Sequence, residues 1–460
     1  MRPRKKKALA IVFTGNFFHS WIPTGIVKQL SKNFSVTILP LNVDFPTELA
    51  GFLPVNCRIL SRANEKTSRI TTLLQDILLI IQRKKSKSFR FRIQRKLFGD
   101  IRICSKQVKL KDKIRLSLSR IVRMTLMLTF PGHKIMSFLP GINNILRKIV
   151  FLRFNYEKSN FLRFLPEKPD LIVIPSSGME GKVYEILREA RRERMPTILA
   201  IENWDNLTSK SVLLVKPSLI TVMGPSSIHM ARDVQGFQDS HIVSAGLPRH
   251  NLLRTSRKTS SSNNRTGVVK ILYAGFSVPH NEVNVLNFLA KELDEDIEEG
   301  RVQLSYRPHP ARQPRLGEEK ELNPLIRMDT SSADAFENTQ HLPIIDDHFL
   351  DSIRGYDIII ATPTTFSLEA MMMNRYVIID GTNDEIHLTS AYISLNRYLH
   401  LEDLRRIHGL DIAQSRESLL NYVIQAVKLS SYNQQYDLSF MINQESRCFS
   451  TYIKEFAEKI

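Results

Sequence analysis

The chain has 460 residues, 42% of them hydrophobic and 24% charged, a globular composition that excludes intrinsic disorder and, at this length, a single ordinary core. Its three cysteines, Cys57, Cys104 and Cys448, are far apart and show no Cys/His spacing for zinc, which excludes a disulfide-stapled scaffold and points to a reducing compartment. The formal charge of +19 attracts anions at long range, whether nucleic acid, phosphorylated substrate or acidic lipid.

The opening MRPRKKKALAIVFTGNFF imitates a secretory signal, but its apolar run is short and lacks a small-residue cleavage site, so it reads as a first β-strand. A turn at Gly15 and Asn16, a helix from about Thr24 to Leu30 and another apolar run complete a β-turn-α-β unit. His19 follows the strand at its carboxyl edge, a candidate base. No run approaches the roughly 18 to 20 apolar residues of a spanning helix, since LLQDILLIIQ is short and carries Asp76.

Between Arg83 and Arg123 stand sixteen Lys or Arg against only Asp100 and Asp112, interleaved with Phe89, Phe91, Ile93, Leu97, Ile101, Ile103, Leu110, Ile114 and Leu116. The favoured reading is a set of basic amphipathic helices on an anionic membrane surface. A solvated helical insertion comes next, and a single-stranded nucleic-acid surface is disfavoured.

Beyond this stretch, PDLIVIPSS, PTILAI, PSLITVMG and SHIVSAG read as strands, with GKVYEILREARRER and PSSIHMARDVQ as helices between them. Short apolar runs alternating with amphipathic helices indicate a doubly wound parallel sheet. This defines an N-terminal domain over 1–253, with the basic helical insertion at about 62–165. After PTILAI, the loop IENWDNLTSK gathers Glu202, Asn203, Trp204, Asp205, Asn206, Thr208, Ser209 and Lys210, more polar groups than a spacer needs.

The polar segment 254–267 reads as a linker. The pattern then restarts over 268–430 with the strands VVKILYAGFS, VQLSYRPHP, YDIIIATP and RYVIID, and helices from about Glu282 to Leu293, at DDHFLDSIRG and at TFSLEAMMM. From about Ser415 onward the chain is helical in pattern, and 431–460 is expected as a tail that packs back across the hinge.

Ligands of open parallel sheets bind beyond the carboxyl ends of the strands. YDIIIA ends at Thr362 and Pro363, and the next helix starts near Thr364 or Thr365, where unpaired N–H groups and the helix dipole suit a diphosphate. Glu369, one turn on, suits a pair of ribose hydroxyls. The bland alternative makes the threonines a helix cap and Glu369 a solvated surface charge. In SYRPHPAR two prolines stop the strand and present Arg307 and His309 at the same edge, one to fork onto phosphate, the other to donate or stack. Gly275, in YAGFS, lets backbone approach a phosphate closely. Asn374 stands where a left-handed helix end is expected.

NFFHSWIPTGIVKQL, NWDNLTSK, the RPHP step and TPTTFSLEAMMMNRYVI, in this order, resemble bacterial GT-B-type transferases that build surface polysaccharides from nucleotide-activated donors, including relatives of the CDP-glycerol glycerophosphotransferases and capsule transferases. The resemblance covers most of the chain outside about 62–165. It implies an α/β fold of two Rossmann-like doubly wound domains facing a cleft, with no cofactor and no metal. Gly275, Arg307, His309, Thr364, Thr365 and Glu369 would hold the donor diphosphate and nucleoside. His19 or Asp205 would be the base, and Asn203, Trp204, Asn206, Ser209 and Lys210 the acceptor-side loop. A lipid-linked or polysaccharide acceptor implies a cytoplasmic enzyme peripheral at the inner membrane face. Asn374 replaces the family's usual Gly, and no glutamate pair stands at the spacing of many retaining enzymes, which points to inversion. The competing readings are a nucleotide-sugar epimerase of the same fold and a basic nucleic-acid-binding protein.

Overall fold

The computed structural model describes residues 7–14, 17–63, 78–79, 82, 84–100, 109–115, 117–118, 121, 161–178, 180–210, 212–213, 215–257, 267–309, 321–329, 347–429, 431–443 and 447–460. The Gly15–Asn16 turn, Cys104, most of the expected linker and much of the basic stretch lie outside the described residues. The chain divides into two compact units, 1–93 with 128–251 and 439–460, and 94–127 with 252–438.

In the first unit β1 (Lys7–Phe13), β2 (Phe34–Pro40), β3 (Arg58–Ile59), β4 (Leu171–Ser176), β5 (Thr197–Ile201), β6 (Leu219–Val222) and β7 (Ile242–Ser244) form a parallel sheet in the order β3-β2-β1-β4-β5-β6-β7. Every residue of β4 and β5 is buried, as expected of strands covered on both faces. Ile11 pairs with Ile38 on one side and Val173 on the other. The winding direction reverses between β1 and β4, and a crevice opens at such a switch point beyond the strand ends.

Residues 439–460 belong to this unit. Asn443 N donates to Met223 O, and the Phe449 ring of the Phe449–Lys459 helix meets Trp21 edge-on at 5.4 Å. A Cβ on Gly224 would stand 2.2 Å from Met441 O, so only glycine lets the two backbones cross there.

The second unit carries β8 (Val269–Ala274), β9 (Val302–Arg307), β10 (Arg327–Met328), β11 (Ile358–Ala361), β12 (Tyr376–Asp380) and β13 (Asp411–Ala413), parallel in the order β10-β9-β8-β11-β12-β13. On one face Ile271, Tyr273 and Leu304 pack with Leu286 and Leu289 of the Glu282–Glu292 helix and with Leu419 and Val423 of the Arg416–Val427 helix. Asn281 caps the first of these helices and a Ser415/Ser418 capping box starts the second. Here the switch point falls between β8 and β11. Asn374, at φ 56°, ends the Thr365–Met372 helix in the left-handed conformation, as its sequence position suggests.

Four expectations change. Residues 250–257 form a helix, so the linker cannot begin at 254. The described residues 94–100 and 109–121 group with the second unit rather than the first, with Arg95 donating to the Tyr398 phenol at 2.9 Å. The tail is not continuously helical, because 431–443 is irregular. In the Lys87–Phe98 helix, Phe89, Phe91 and Ile93 are buried in protein, so these three side chains are not offered to lipid.

Candidate functional site

β8 and β11 flank the switch point of the second unit, and the residues that follow them are Gly275 and the segment Thr362–Thr365. The Thr365–Met372 helix is entered at Thr364, whose extended backbone (φ −129°, ψ 168°) marks the N-cap although no side chain caps the helix. The Oγ1 atoms of Thr364 and of Thr362, and that of Thr382 beyond β12, are buried with no hydrogen-bond partner among the described residues. An unsatisfied buried hydroxyl costs about 1 to 3 kcal/mol. Three at adjacent strand ends are hydrogen-bonding capacity that the described residues do not use. The capping alternative fails for Thr364, and Glu369, only 7% exposed, is no solvated surface charge. Thr365, the first helical residue, is half-buried.

Behind this edge lies a buried ionisable network that the sequence reading did not single out. Glu282, 2% exposed, accepts from Phe276 N and from the Tyr306 hydroxyl, both at 2.6 Å. A Cβ on Gly275 would sit 2.7 Å from Glu282 Oε2 and 2.9 Å from His309 N. A side chain at 275 would thus crowd both the Glu282 carboxylate and the His309 backbone. The same contact brings Gly275 and His309 together. His280 is fully buried, its Nε2 3.5 Å from Asp380 Oδ2 and its Nδ1 3.4 Å from Asp384 Oδ2. Burial alone would depress its pKa, but the bonds to Asp380 and Asp384 outweigh burial and raise it to about 9. Burial opposes ionisation of Asp384 as well, yet His280 and His387 hold its carboxyl far below the usual range. Ala391 N lies 3.4 Å from His280 Nδ1, the same distance as Asp384 Oδ2. Tyr273 donates to Asp380 Oδ2 at 2.5 Å.

Arg307, expected to fork onto phosphate, forks onto Asp329 Oδ2 through Nε at 3.0 Å and Nη2 at 2.6 Å. It is 5% exposed and its guanidinium lies 5.9 Å from the Phe366 ring centroid in the first helical turn. It supports that turn rather than offering a free cation.

In the first unit the loop after β5 folds into a π-helical turn, Asn206–Lys210. Asp205 pairs with Lys210 at 3.1 Å and accepts at its backbone O from Ser209 Oγ at 2.9 Å. Trp204, Asn206 and Ser209 are buried, and Arg249 Nη2 donates to Asn203 Oδ1 at 3.3 Å. Arg92 donates to Ser209 O at 2.8 Å, so the Lys87–Phe98 helix clamps this turn.

His19 lies on the buried helix Phe18–Trp21 beyond β1. Glu202 fastens that helix, accepting from Trp21 Nε1 at 2.5 Å and from Ser20 Oγ at 3.3 Å, with Arg249 Nη1 3.8 Å away. Burial pushes the Glu202 carboxyl up to about 7, against the lowering effects of Arg249, Trp21 and Ser20. Glu202 was legible as one polar residue of IENWDNLTSK, but its burial was not. The network of His280, Glu282 and Asp380 was not legible either, SVPHNE and the Asp closing RYVIID being its signals, and Thr382 was not singled out. Among the described residues no group of His, Cys, Asp and Glu could hold a metal ion.

No family model matches the sequence, and no curated protein matches it. Among solved structures, a Listeria monocytogenes protein assigned as a UDP-N-acetylglucosamine 2-epimerase superposes with TM-score 0.52 at 9% identity, over 99% of this chain and 98% of that one. The fold is of the GT-B type. S. aureus MnaA with UDP matches at TM-score 0.49 and 11% identity, over 99% and 98% of the two chains. The wall teichoic acid polymerase TagF matches at 0.43 and 12%, over 98% and 88%. The GT-B assignment rests on the Listeria structure together with the two parallel sheets of seven and six strands.

Proposed function

We propose that the chain is a metal-independent, inverting glycosyltransferase that moves a sugar or sugar-like group from a nucleotide-activated donor to a surface-polysaccharide acceptor. The observation that carries this reading is the uncapped start of the Thr365–Met372 helix, with the hydroxyls of Thr362 and Thr364, unpartnered among the described residues, beside it. Helix N–H groups and two hydroxyls stabilise the charge that a nucleoside diphosphate gains as it leaves. Glu369 and His309 complete the donor side, and Arg307 positions the first helical turn through Phe366. On the acceptor side His19 takes the proton, held by the helix that Glu202 anchors. The pairing of Asp205 with Lys210 favours His19 over Asp205 in that role. A thermal-shift panel of UDP, GDP, CDP, CMP and dTDP tests the donor site, since a ligand of the folded state raises its stability by mass action. No shift with any of them refutes it. Conversion of a nucleotide sugar alone into an isomer would instead support an epimerase.

The acceptor is lipid-linked in this reading and the enzyme sits on an anionic membrane. Leu110, Ile114, Leu118 and Ile121 are 74, 55, 59 and 60% exposed and recur at helical spacing beside exposed Lys109, Lys111 and Arg115. An apolar stripe flanked by cations matches an anionic lipid surface. No helix among the described residues is long and apolar enough to cross a membrane.

A further inference from the structure

β9 reads Val302-Gln303-Leu304-Ser305-Tyr306-Arg307, a strict alternation, where a strand covered on both faces of a parallel sheet reads as a continuous apolar run. Val302, Leu304 and Tyr306 enter the core. Gln303, Ser305 and Arg307 point to the opposite face and, with Lys270 and Arg327, line a cavity of about 620 Å³. The acids of that lining are already matched: Asp329 pairs with Arg307 at 2.6 Å and Asp351 with Arg354 at 2.5 Å. Lys270 makes no ion pair among the described residues, and Arg327 gives an N–H to the neutral Gln303 Oε1 at 2.8 Å. Two cations thus stand without an ion-pair partner among the described residues, in a concavity where Gln303 Nε2 donates to Ser305 Oγ at 3.2 Å.

We propose that this cavity is a second anion site, for a small dianion of the phosphate or phosphate-monoester class. Two charges of one sign beside an open concavity concentrate the opposite one there, and a guanidinium with an ammonium matches the oxygens of a phosphate. The site differs from the donor edge. Lys270 and Gln303 stand in the amino-terminal halves of β8 and β9, whereas the unpartnered threonine hydroxyls lie beyond the carboxyl ends of β11 and β12. The proposal therefore does not depend on what binds at Thr364.

Isothermal titration of the full chain with inorganic phosphate at pH 8, where the dianion predominates, tests it. The expected result is one phosphate per chain, undisturbed by saturating UDP or CDP. Lys270→Met and Arg327→Met should each weaken binding by about tenfold, as loss of one charge-assisted contact does, and Lys270→Arg should restore most of it. Unchanged melting temperatures of these variants show that the fold is intact. Absence of phosphate binding by the unaltered chain, equal affinity in the Lys270→Met/Arg327→Met double variant, or displacement of phosphate by UDP or CDP would each overturn the proposal.

Discussion

Glu202→Gln isolates the ionisation of one buried carboxyl. In the folded chain Glu202 titrates at about 7, against an ordinary 4.5, so the folded state holds the proton more tightly than the unfolded one. The associated stability is fully present below pH 4.5 and is lost as pH rises through 7. A separation of about 2.5 pH units, at about 1.36 kcal/mol per unit, amounts to roughly 3 kcal/mol. Glutamine keeps the shape and an oxygen for Trp21 Nε1 but cannot ionise. The chain has two tryptophans, Trp21 and Trp204, both in the first unit, so their fluorescence follows this unit in urea. The stability of the unaltered chain should fall by about 3 kcal/mol relative to Glu202→Gln between pH 4.5 and 8. In native protein the Trp21 emission should titrate near pH 7 only when Glu202 is present. Parallel stability curves for the two chains would refute the assigned burial and bonding of this carboxyl.

Thr362→Val and Thr364→Val remove hydroxyls that have no partner among the described residues, so melting temperatures should hold while affinity for the nucleotide that shifts melting falls by about tenfold each; equal affinity detaches these residues from the donor. Gly275→Ala should destabilise by about 1 to 3 kcal/mol in a urea melt, because the new methyl displaces the Glu282 carboxylate. Arg307→Leu should also destabilise by about 1 to 3 kcal/mol, leaving half-buried Asp329 with the Tyr356 hydroxyl as a remaining donor, and an unchanged melt would return Arg307 to the role of a free phosphate ligand. His280, raised to about 9 from 6.5, contributes stability that is complete below pH 6.5 and is lost as pH rises through 9, and His280→Asn should flatten that alkaline loss in circular-dichroism melts. Leu110→Asp with Ile114→Asp should abolish co-sedimentation with anionic vesicles and spare nucleotide binding; retention on vesicles refutes the membrane stripe.

The strands and their parallel pairing were readable because fully covered strands are written as apolar runs, as in LIVIPS and DIIIA, and helices as amphipathic stretches between them. The start of the Thr365–Met372 helix was equally legible, since Pro363 and the paired threonines punctuate the chain locally. Short edge strands such as β3, β10 and β13 escaped notice because two or three residues carry no period. The order of strands, and with it the two switch points, does not exist in the linear pattern. It arises only when strands far apart in sequence become neighbours, as β8 and β11 do.

Residue types at each strand end were thus settled by the sequence alone, together with the excess positive charge and the two-sheet fold class. Partner choice was settled only by tertiary packing. Arg307 meets Asp329, and His280 meets Asp380 across about a hundred residues, because burial makes each charge seek whichever opposite group the fold brings within reach. The same packing left the hydroxyls of Thr362 and Thr364 without a partner among the described residues, and on those two atoms the proposed donor site depends.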